Sequence, residues 1–288
     1  MAQRALVLGG GGPVGIAWES GIIAGLAEEG VSLADADFIV GTSAGSVVGA
    51  QLALGRDPQS LLQAQLRPGE SAANPRPGGA PDLMPLMEMM AKMATFEGPP
   101  EEIRKEIGRF ALEAETMGED EFIASFGAML ASGPWPAKRY ACTAVDTATG
   151  EFAVWDNDAG VPLSRAIASS CSVPGIYPPI TIHGRRYMDG GMRSSTNADI
   201  VSGYERVVFI AVTGGARGPM AEVAQRRLEG EVNALRESGS DVRLIVPDDA
   251  SSEAFGLNLM DFRRRAPAAE AGLAQGRTAA DDLRAFWN

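Results

Sequence analysis

The segment Gly41-Thr42-Ser43-Ala44-Gly45 matches the pattern G-x-S-x-G and separates two contrasting stretches of sequence. Residues 37–40 are mostly apolar and include β-branched side chains, which is typical of a buried strand. Residues 44–54 are small and mostly apolar and end before Gly55, which predicts a helix. Such a strand-to-helix turn needs glycine at Gly41 and Gly45 and exposes Ser43 at the positive end of the helix. Ser43 is therefore a candidate nucleophile, and an incidental serine in a chain with 35 glycines is the alternative.

A nucleophilic serine needs a base, and the chain contains a single histidine, His183. Residues 180–187 predict two short strands joined by a tight turn at His183-Gly184, so we expect the imidazole to be exposed. Asp189 follows the second of these strands. If His183 is not the base, a carboxylate must take its place. An aspartate base also predicts a pH profile with no limb near about 6.5, the ordinary pKa of imidazole.

The N-terminus predicts a strand over Arg4 to Leu8, a glycine-rich loop over residues 9–15 and a helix over residues 16–29. Four consecutive glycines leave backbone N–H groups uncovered, which suits a phosphate or the oxyanion of ester cleavage. Residues 10–15 also satisfy G-x-G-x-x-G, but the second strand ends in the G-x-S-x-G segment rather than in the acidic residue of a dinucleotide site. A turn that only allows close packing is the structural alternative.

Taken together, the glycine loop, the G-x-S-x-G segment and Asp189-Gly190-Gly191 resemble the patatin-like phospholipase family, whose members use a Ser-Asp dyad without histidine. Residues 168–179, with three prolines, are similar to that family's proline-containing block ahead of the catalytic aspartate. The resemblance extends from about Arg4 to Thr213. The order and spacing of four blocks are far more specific than any one of them.

The resemblance implies an α/β fold with a mainly parallel central sheet flanked by helices, a three-layer sandwich. It implies hydrolysis of lipid carboxylic esters, with Ser43 as nucleophile and Asp189 as base. The oxyanion hole would be formed by the backbone of Gly10, Gly11 and Gly12. Five further glycines would support the motifs: Gly15, Gly41, Gly45, Gly190 and Gly191. Val14 stands where the family commonly has Arg or Lys, so a catalytically silent lipid-binding protein of the same fold is the alternative.

We expect a single domain over residues 1–288, with a helical cap inserted at about 56–136 and a βαβ unit followed by helices from about 205 to 288. Residues 66–82 predict a loop, and residues 83–96 predict a helix with five methionines. Methionine adapts to irregular apolar partners, so Met84, Met87 and Met90 are candidates for an acyl pocket or lid. An ordinary amphipathic helix packed on the core is the alternative.

The formal net charge of -12 argues against nucleic acid and against attraction to anionic lipid, so any membrane contact should be apolar. No stretch reaches the 18 or so apolar residues of a membrane-spanning helix, and the N-terminus does not resemble a signal peptide. Cys142 and Cys171 are expected to be buried thiols in a cytoplasmic protein. The sequence predicts neither a metal site nor a cofactor. The predicted substrate is a lipid or another ester.

Overall fold

The structure, a computed structural model, describes residues 3–67, 84–127, 130, 134–215 and 221–288. Within these residues the strands are β1 (Arg4–Leu8), β2 (Phe38–Gly41), β3 (Arg139–Asp146), β4 (Phe152–Trp155), β5 (Ile180–Ile182), β6 (Arg185–Asp189), β7 (Arg206–Ile210) and β8 (Asp241–Ile245). They form one sheet in the order β5-β6-β3-β2-β1-β7-β8, and β4 also pairs with β3. The pairs that join β3, β2, β1, β7 and β8 are parallel.

The described residues also form helices on both faces of this sheet. They are α1 (Gly12–Glu28), α2 (Ala44–Ala53), α3 (Pro58–Leu66), α4 (Met84–Thr95), α5 (Pro100–Glu113), α6 (Glu119–Gly127), α7 (Leu163–Ser170), α8 (Ala221–Glu237), α9 (Asp249–Phe255) and α10 (Arg265–Trp287). The β7-α8-β8 segment is a parallel βαβ unit, as the sequence predicts.

Successive side chains of a strand point to opposite faces, and the central strands are apolar on both. In β1, Leu6 and Leu8 belong to the core shared with α1, α2 and α10, whereas Ala5 and Val7 belong to a second core beneath α8. All four of these side chains are fully buried. Two cores on either side of one sheet make a three-layer sandwich, which confirms the predicted fold class.

Strand β3 brings the ends of β2 and β6 together. Cys142 pairs with Gly41 on one side and with β4 on the other, whereas Ala144 pairs with β4 and with Asp189. Because a strand residue has only two lateral neighbours, β6 must lie on the same side of β3 as β2. The carboxyl end of β6 therefore meets the carboxyl end of β2, and Asp189 arrives beside the turn that carries Ser43.

Helix α1 begins at Gly12, not at residue 16 as the sequence suggested. The glycine loop is thus shorter than expected, and its last four residues form the first turn of the helix. The reason is that Gly12 adopts a φ of 58° and Pro13 at the first turn needs no hydrogen-bonded N–H. The unpaired N–H groups at the start of α1 consequently lie at the glycine loop.

The described part of residues 56–136 contains the four helices α3 to α6, joined by non-helical segments. These helices touch the sandwich at several places: α3 contacts α1 and α10, α5 contacts β3, and α6 contacts α7. The predicted methionine-rich helix is present as α4. Of the loop predicted over 66–82, residues 68–82 lie outside the described residues.

The C-terminal helix α10 packs on α1 at backbone contact. A Cβ at Gly21 would lie 2.3 Å from the carbonyl oxygen of Ala269, and one at Gly276 would lie 2.5 Å from that of Ile22. Because glycine has no side chain, the two helix backbones can approach closely at these positions, where no larger residue would fit. This packing fixes α10 against the helix that starts at the glycine loop.

Candidate active site

Ser43 occupies a strained turn between β2 and α2. Its φ of 52° and ψ of -116° are rare for a residue with a side chain, and such strain typically costs about 1–3 kcal/mol. The turn is tight because Gly45 lies against β1: its N–H donates to the Gly9 carbonyl at 3.0 Å, and a Cβ there would lie 2.1 Å from the carbonyl oxygen of Leu8. The predicted strand-to-helix turn is confirmed, with Ser43 at its tip.

The backbone of Ser43 is held by side chains from both flanking helices. Its N–H donates to Oγ of Ser170 at 3.0 Å. Its carbonyl oxygen accepts from Oγ of Ser46 at 2.6 Å and from Sγ of Cys171 at 3.3 Å. Ser170 and Cys171 belong to the proline-containing block that the sequence singled out, but their contacts with Ser43 had no local signal. Their hydrogen bonds hold the strained backbone in place.

Asp189 is almost fully buried, with 2% of its surface exposed. Its Oδ1 accepts the Gly191 N–H at 2.7 Å, while Oδ2 has no partner of ordinary hydrogen-bond geometry among the described residues. Burial raises the pKa of Asp189 to about 7, against the opposing effects of the Ser43 hydroxyl and the Gly191 N–H. Asp189 is therefore a much stronger base than an exposed aspartate.

This raised pKa overturns one sequence-based expectation. An aspartate base was expected to give no pH limb near 6.5, but a carboxyl with a pKa of about 7 gives a limb in that range without any histidine. The physical reason is desolvation, which disfavours the charged carboxylate and which the sequence does not reveal. A limb near neutral pH consequently does not distinguish imidazole from Asp189.

Asn197 joins the parts of the site, although it is not among the site residues predicted from the sequence. Its side-chain amide donates to Oγ1 of Thr42 at 3.1 Å, to Oγ1 of Thr143 at 3.2 Å and to the Gly190 carbonyl at 3.2 Å. Asn197 is fully buried and has a φ of 50°, a conformation that asparagine tolerates better than most residues. The polar run before it, Ser194-Ser195-Thr196, was the available signal. One side chain thus links β2, β3 and the aspartate loop.

The glycine loop runs alongside Ser43. The Gly10 N–H donates to the Ser195 carbonyl at 2.7 Å. It is therefore already hydrogen-bonded, whereas the sequence predicted it as a free donor to the oxyanion. A Cβ on Gly10 would lie 3.3 Å from Cβ of Ser43, so the absence of a side chain there matters instead. The N–H groups of Gly11 and Gly12 have no protein partner within the described part of the chain. They remain as candidate donors at the positive end of α1.

The remaining sequence candidates divide clearly. His183 is exposed at the turn between β5 and β6, as predicted, and its Nε2 lies 3.4 Å from the Ala159 carbonyl. Cys142 and Cys171 are free and buried, also as predicted. Burial raises the pKa of both thiols, to about 12 for Cys142, so neither is a competing nucleophile. Val14 is fully buried in the core rather than at the site.

A cavity of about 780 Å³ opens at Ser43. One part of its wall is apolar and aromatic, with Phe122 stacked on Tyr177 at a ring-centroid distance of 4.4 Å. Further apolar lining comes from Ile16, Phe126, Val173 and Met260. Another part is polar and carries glutamine and arginine side chains from α3 and the start of α10. The cavity could accept an apolar chain and a polar group on either side of an ester.

Met84 and Met87 of α4 are not part of this wall. Met84 and Met87 are 57% and 46% exposed, and neither lines the cavity at Ser43. Met87 lines a second cavity of about 810 Å³, between α4, α5 and α8, whose lining does not include Ser43. The side chain of Met90 lies outside the described residues. Aromatic residues of α6 and of the segment after α7 line this cavity, and Met84 and Met87 do not. A role of α4 as a lid stays a prediction.

Fold and site together define an α/β sandwich protein with a serine at a strand-to-helix turn beside a buried aspartate. A family model described as Patatin-like phospholipase matches residues 6–202, more than half of the chain, and the protein belongs to that family. As a member it is a hydrolase of lipid carboxylic esters. Within the described residues, no helix is long and apolar enough to cross a membrane.

Solved structures are similar to nearly the whole chain. VipD from Legionella pneumophila matches with a TM-score of 0.50 and 16% identity over 98% of this chain and 67% of its own, which supports the fold. The human GIVD cytosolic phospholipase A2 matches with a TM-score of 0.49 and 12% identity, over 99% of this chain and 59% of its own. The type III effector ExoU matches with a TM-score of 0.43 and 15% identity, over 98% of this chain and 53% of its own. No curated protein matches the sequence significantly.

Proposed function

We propose that the protein is a serine acyl hydrolase that cleaves carboxylic esters of lipids with a Ser43-Asp189 dyad. The observation that carries the proposal is the pairing of a strained, cavity-lining Ser43 with a buried aspartate whose pKa is about 7. A base works best when its pKa is near the working pH, because it is then largely ionised and still able to accept a proton. Ser43 faces the cavity, whereas Asp189 does not line it.

In the proposed cycle, Asp189 takes the hydroxyl proton of Ser43 as Oγ attacks the acyl carbonyl. The oxyanion that forms is bound by the N–H groups of Gly11 and Gly12 and by the positive end of α1. The ester bond then breaks, and the protonated Asp189 gives its proton to the leaving alcohol. Water attacks the acyl-serine with Asp189 as base, the fatty acid leaves, and the proton returns to Oγ of Ser43.

The acyl chain would lie along the aromatic part of the cavity, where Phe122, Phe126 and Tyr177 exclude water. Membrane contact would be apolar and transient, since the chain has a net charge of -12. A cytoplasmic location fits two free, buried cysteines. Residues 1–288 would act as one domain, with 56–136 as a helical cap.

The decisive experiment uses a fluorophosphonate probe and a panel of chromogenic esters of increasing chain length. We expect the probe to label wild type at Ser43, and Ser43→Ala to lose both labelling and hydrolysis. Ser240→Ala is the matched control, because Ser240 is a buried serine just before β8 that does not line the cavity. Equal turnover by wild type and Ser43→Ala would refute the dyad. Lipid binding without turnover by wild type would favour the catalytically silent alternative.

A further inference from the structure

The cavity at Ser43 has an unusual charge for this protein. The chain as a whole has 37 acidic and 25 basic residues, yet among the described residues the charged ones that line this cavity are Arg56, Arg67, Arg265 and one carboxylate, Asp57. Asp57 is engaged in capping α3, where it accepts from the N–H of Ser60 at 2.9 Å. The polar part of the cavity is therefore positive in an otherwise negative molecule.

Arg265, at the start of α10, is the best-defined of these cations. It is half-buried, and Gln65 holds it from α3: Oε1 of Gln65 accepts from Nε at 3.1 Å and from Nη2 at 2.9 Å. Nη2 also donates to the Ala64 carbonyl at 3.1 Å. Gln65 is itself 4% exposed, so the support is rigid. The guanidinium is thus fixed in place by neutral groups.

No carboxylate pairs with Arg265 within the part of the chain that the structure describes. Burial lowers the pKa of the Arg265 guanidinium, and no neighbouring anion opposes that effect. A desolvated charge is costly unless it is paired. A fixed guanidinium with free N–H capacity also suits a planar or tetrahedral anion better than a mobile lysine would.

We propose that Arg265 binds an anionic oxygen of the substrate, a phosphate or carboxylate on the alcohol side of the ester, and so makes this enzyme selective for negatively charged lipids. The inference rests on the proposed function, because it assumes that the ester lies at Ser43. In the bound state the anion of the substrate pairs with the Arg265 guanidinium, which has no carboxylate partner among the described residues. Residue 265 lies beyond the family match, so this specificity would belong to the C-terminal helix.

The test compares three lysolipids with the same acyl chain, carrying a phosphomonoester, a zwitterionic phosphocholine or no headgroup beyond glycerol. Arg265→Gln should raise KM for the phosphomonoester by about tenfold or more, as expected for a lost charge-assisted hydrogen bond. The neutral lipid should change less than about twofold. Arg265→Lys should fall between, since it keeps the charge and loses the fork. Arg263→Gln, two residues away and outside the cavity lining, is the matched control.

Equal loss on charged and neutral lipids, or no loss on either, would overturn the inference. A lower kcat on every substrate together with a lower Tm would show that Arg265 only supports the fold. Inorganic phosphate added to the neutral-lipid assay separates a free phosphate site from headgroup recognition. Competition by phosphate alone that Arg265→Gln leaves intact would place the anion elsewhere and also overturn it.

The anion site at Arg265 can be tested independently of the proposed hydrolase activity. Equilibrium binding of the phosphomonoester lipid is measured in a Ser43→Ala background, where no turnover is needed. A tenfold or so weaker affinity on adding Arg265→Gln supports the anion site even if hydrolysis is absent. An unchanged affinity contradicts it even if Ser43 proves to be the nucleophile.

Discussion

Two regions meet at Ser43 and are built differently. The elbow region, residues 9–15, 41–45 and 189–197, is assembled from the ends of neighbouring strands and fixed by backbone hydrogen bonds such as Gly45 to Gly9 and Gly10 to Ser195. The cavity wall consists of side chains from α3, α6, α10 and the segment after α7. The elbow region can carry chemistry because its backbone cannot relax, whereas the wall can change its side chains without moving the backbone. Reaction and selectivity should therefore respond to different substitutions.

The largest effect should come from removing the base in the elbow region. Asp189→Asn keeps the shape and the contact with Gly191 but cannot accept a proton, so we expect kcat to fall by about a thousandfold or more. His183→Ala, at an exposed turn, should stay within about threefold of wild type. Steady-state kinetics with a soluble ester measure both. A folded His183→Ala protein as inactive as Ser43→Ala would show that imidazole is the base.

The pH dependence of activity should be set by the elbow region, through Asp189. Because Asp189 has a pKa of about 7 and must be ionised to act, kcat/KM should rise with pH through neutrality and level off above it. Between about pH 8 and pH 5 the ionised fraction of such a carboxyl falls about a hundredfold. His183→Ala should keep this limb. Activity that is flat down to pH 5 would mean that Asp189 is not the titrating base.

The contrast also explains what the sequence could predict. Gly41, Gly45 and Gly190 are each required by a close backbone contact, and such requirements leave local patterns. A Cβ at Gly190, for example, would lie 2.6 Å from the carbonyl oxygen of Thr143. The turn with Ser43, the hairpin with His183 and the strand before Asp189 were accordingly predicted from short segments. All three are present with boundaries within about a residue or two of those expected.

The wall could not be predicted because it depends on packing between distant segments. Phe122 and Tyr177 stack on each other in the cavity wall, but 55 positions separate them in the sequence, and neither stands in a distinctive motif. The cluster of methionines in α4 was a stronger local signal, but Met84 and Met87 do not line this cavity. The raised pKa of Asp189 and the hydrogen bonds of Asn197 to Thr42, Thr143 and Gly190 likewise depend on burial that only the folded chain creates.

A bulky residue in the wall should change selectivity and leave the chemistry intact. Val173→Trp fills space in the cavity without creating a void, so kcat/KM for long-chain esters should fall about tenfold while that for acetate esters changes less than about twofold. Met87→Trp is the matched control, since Met87 lies outside this wall and should alter neither. Long-chain selectivity that follows Met87 instead would restore α4 as the acyl pocket.

The smallest effect concerns two carboxyl groups, one behind the elbow region and one beside the wall. Glu19 on α1 is fully buried, and neither of its oxygens has a partner of ordinary hydrogen-bond geometry among the described residues. Burial raises the pKa of Glu19 well above its ordinary value, against the weaker opposing effect of the nearby Gly9 N–H. Glu119 on α6 is the opposite case, because it pairs with Arg165 at 2.7 Å and accepts from the N–H and Oγ1 of Thr181 at 2.7 and 2.8 Å.

Because the folded-state pKa of Glu19 is raised, its contribution to stability is fully present below the unfolded pKa of about 4.5 and is lost as pH rises toward the folded value. Glu19→Gln removes this loss, so its Tm should match that of wild type near about pH 4.5 and exceed it by a few °C near about pH 8. Glu119→Gln should instead lower Tm at about pH 8, because an uncharged amide weakens the bonds to Arg165 and Thr181. Thermal melts at both pH values decide the matter. A Glu19→Gln variant less stable than wild type at the higher pH would show that the carboxylate has a partner in the folded protein, such as a bound water, that the amide cannot replace.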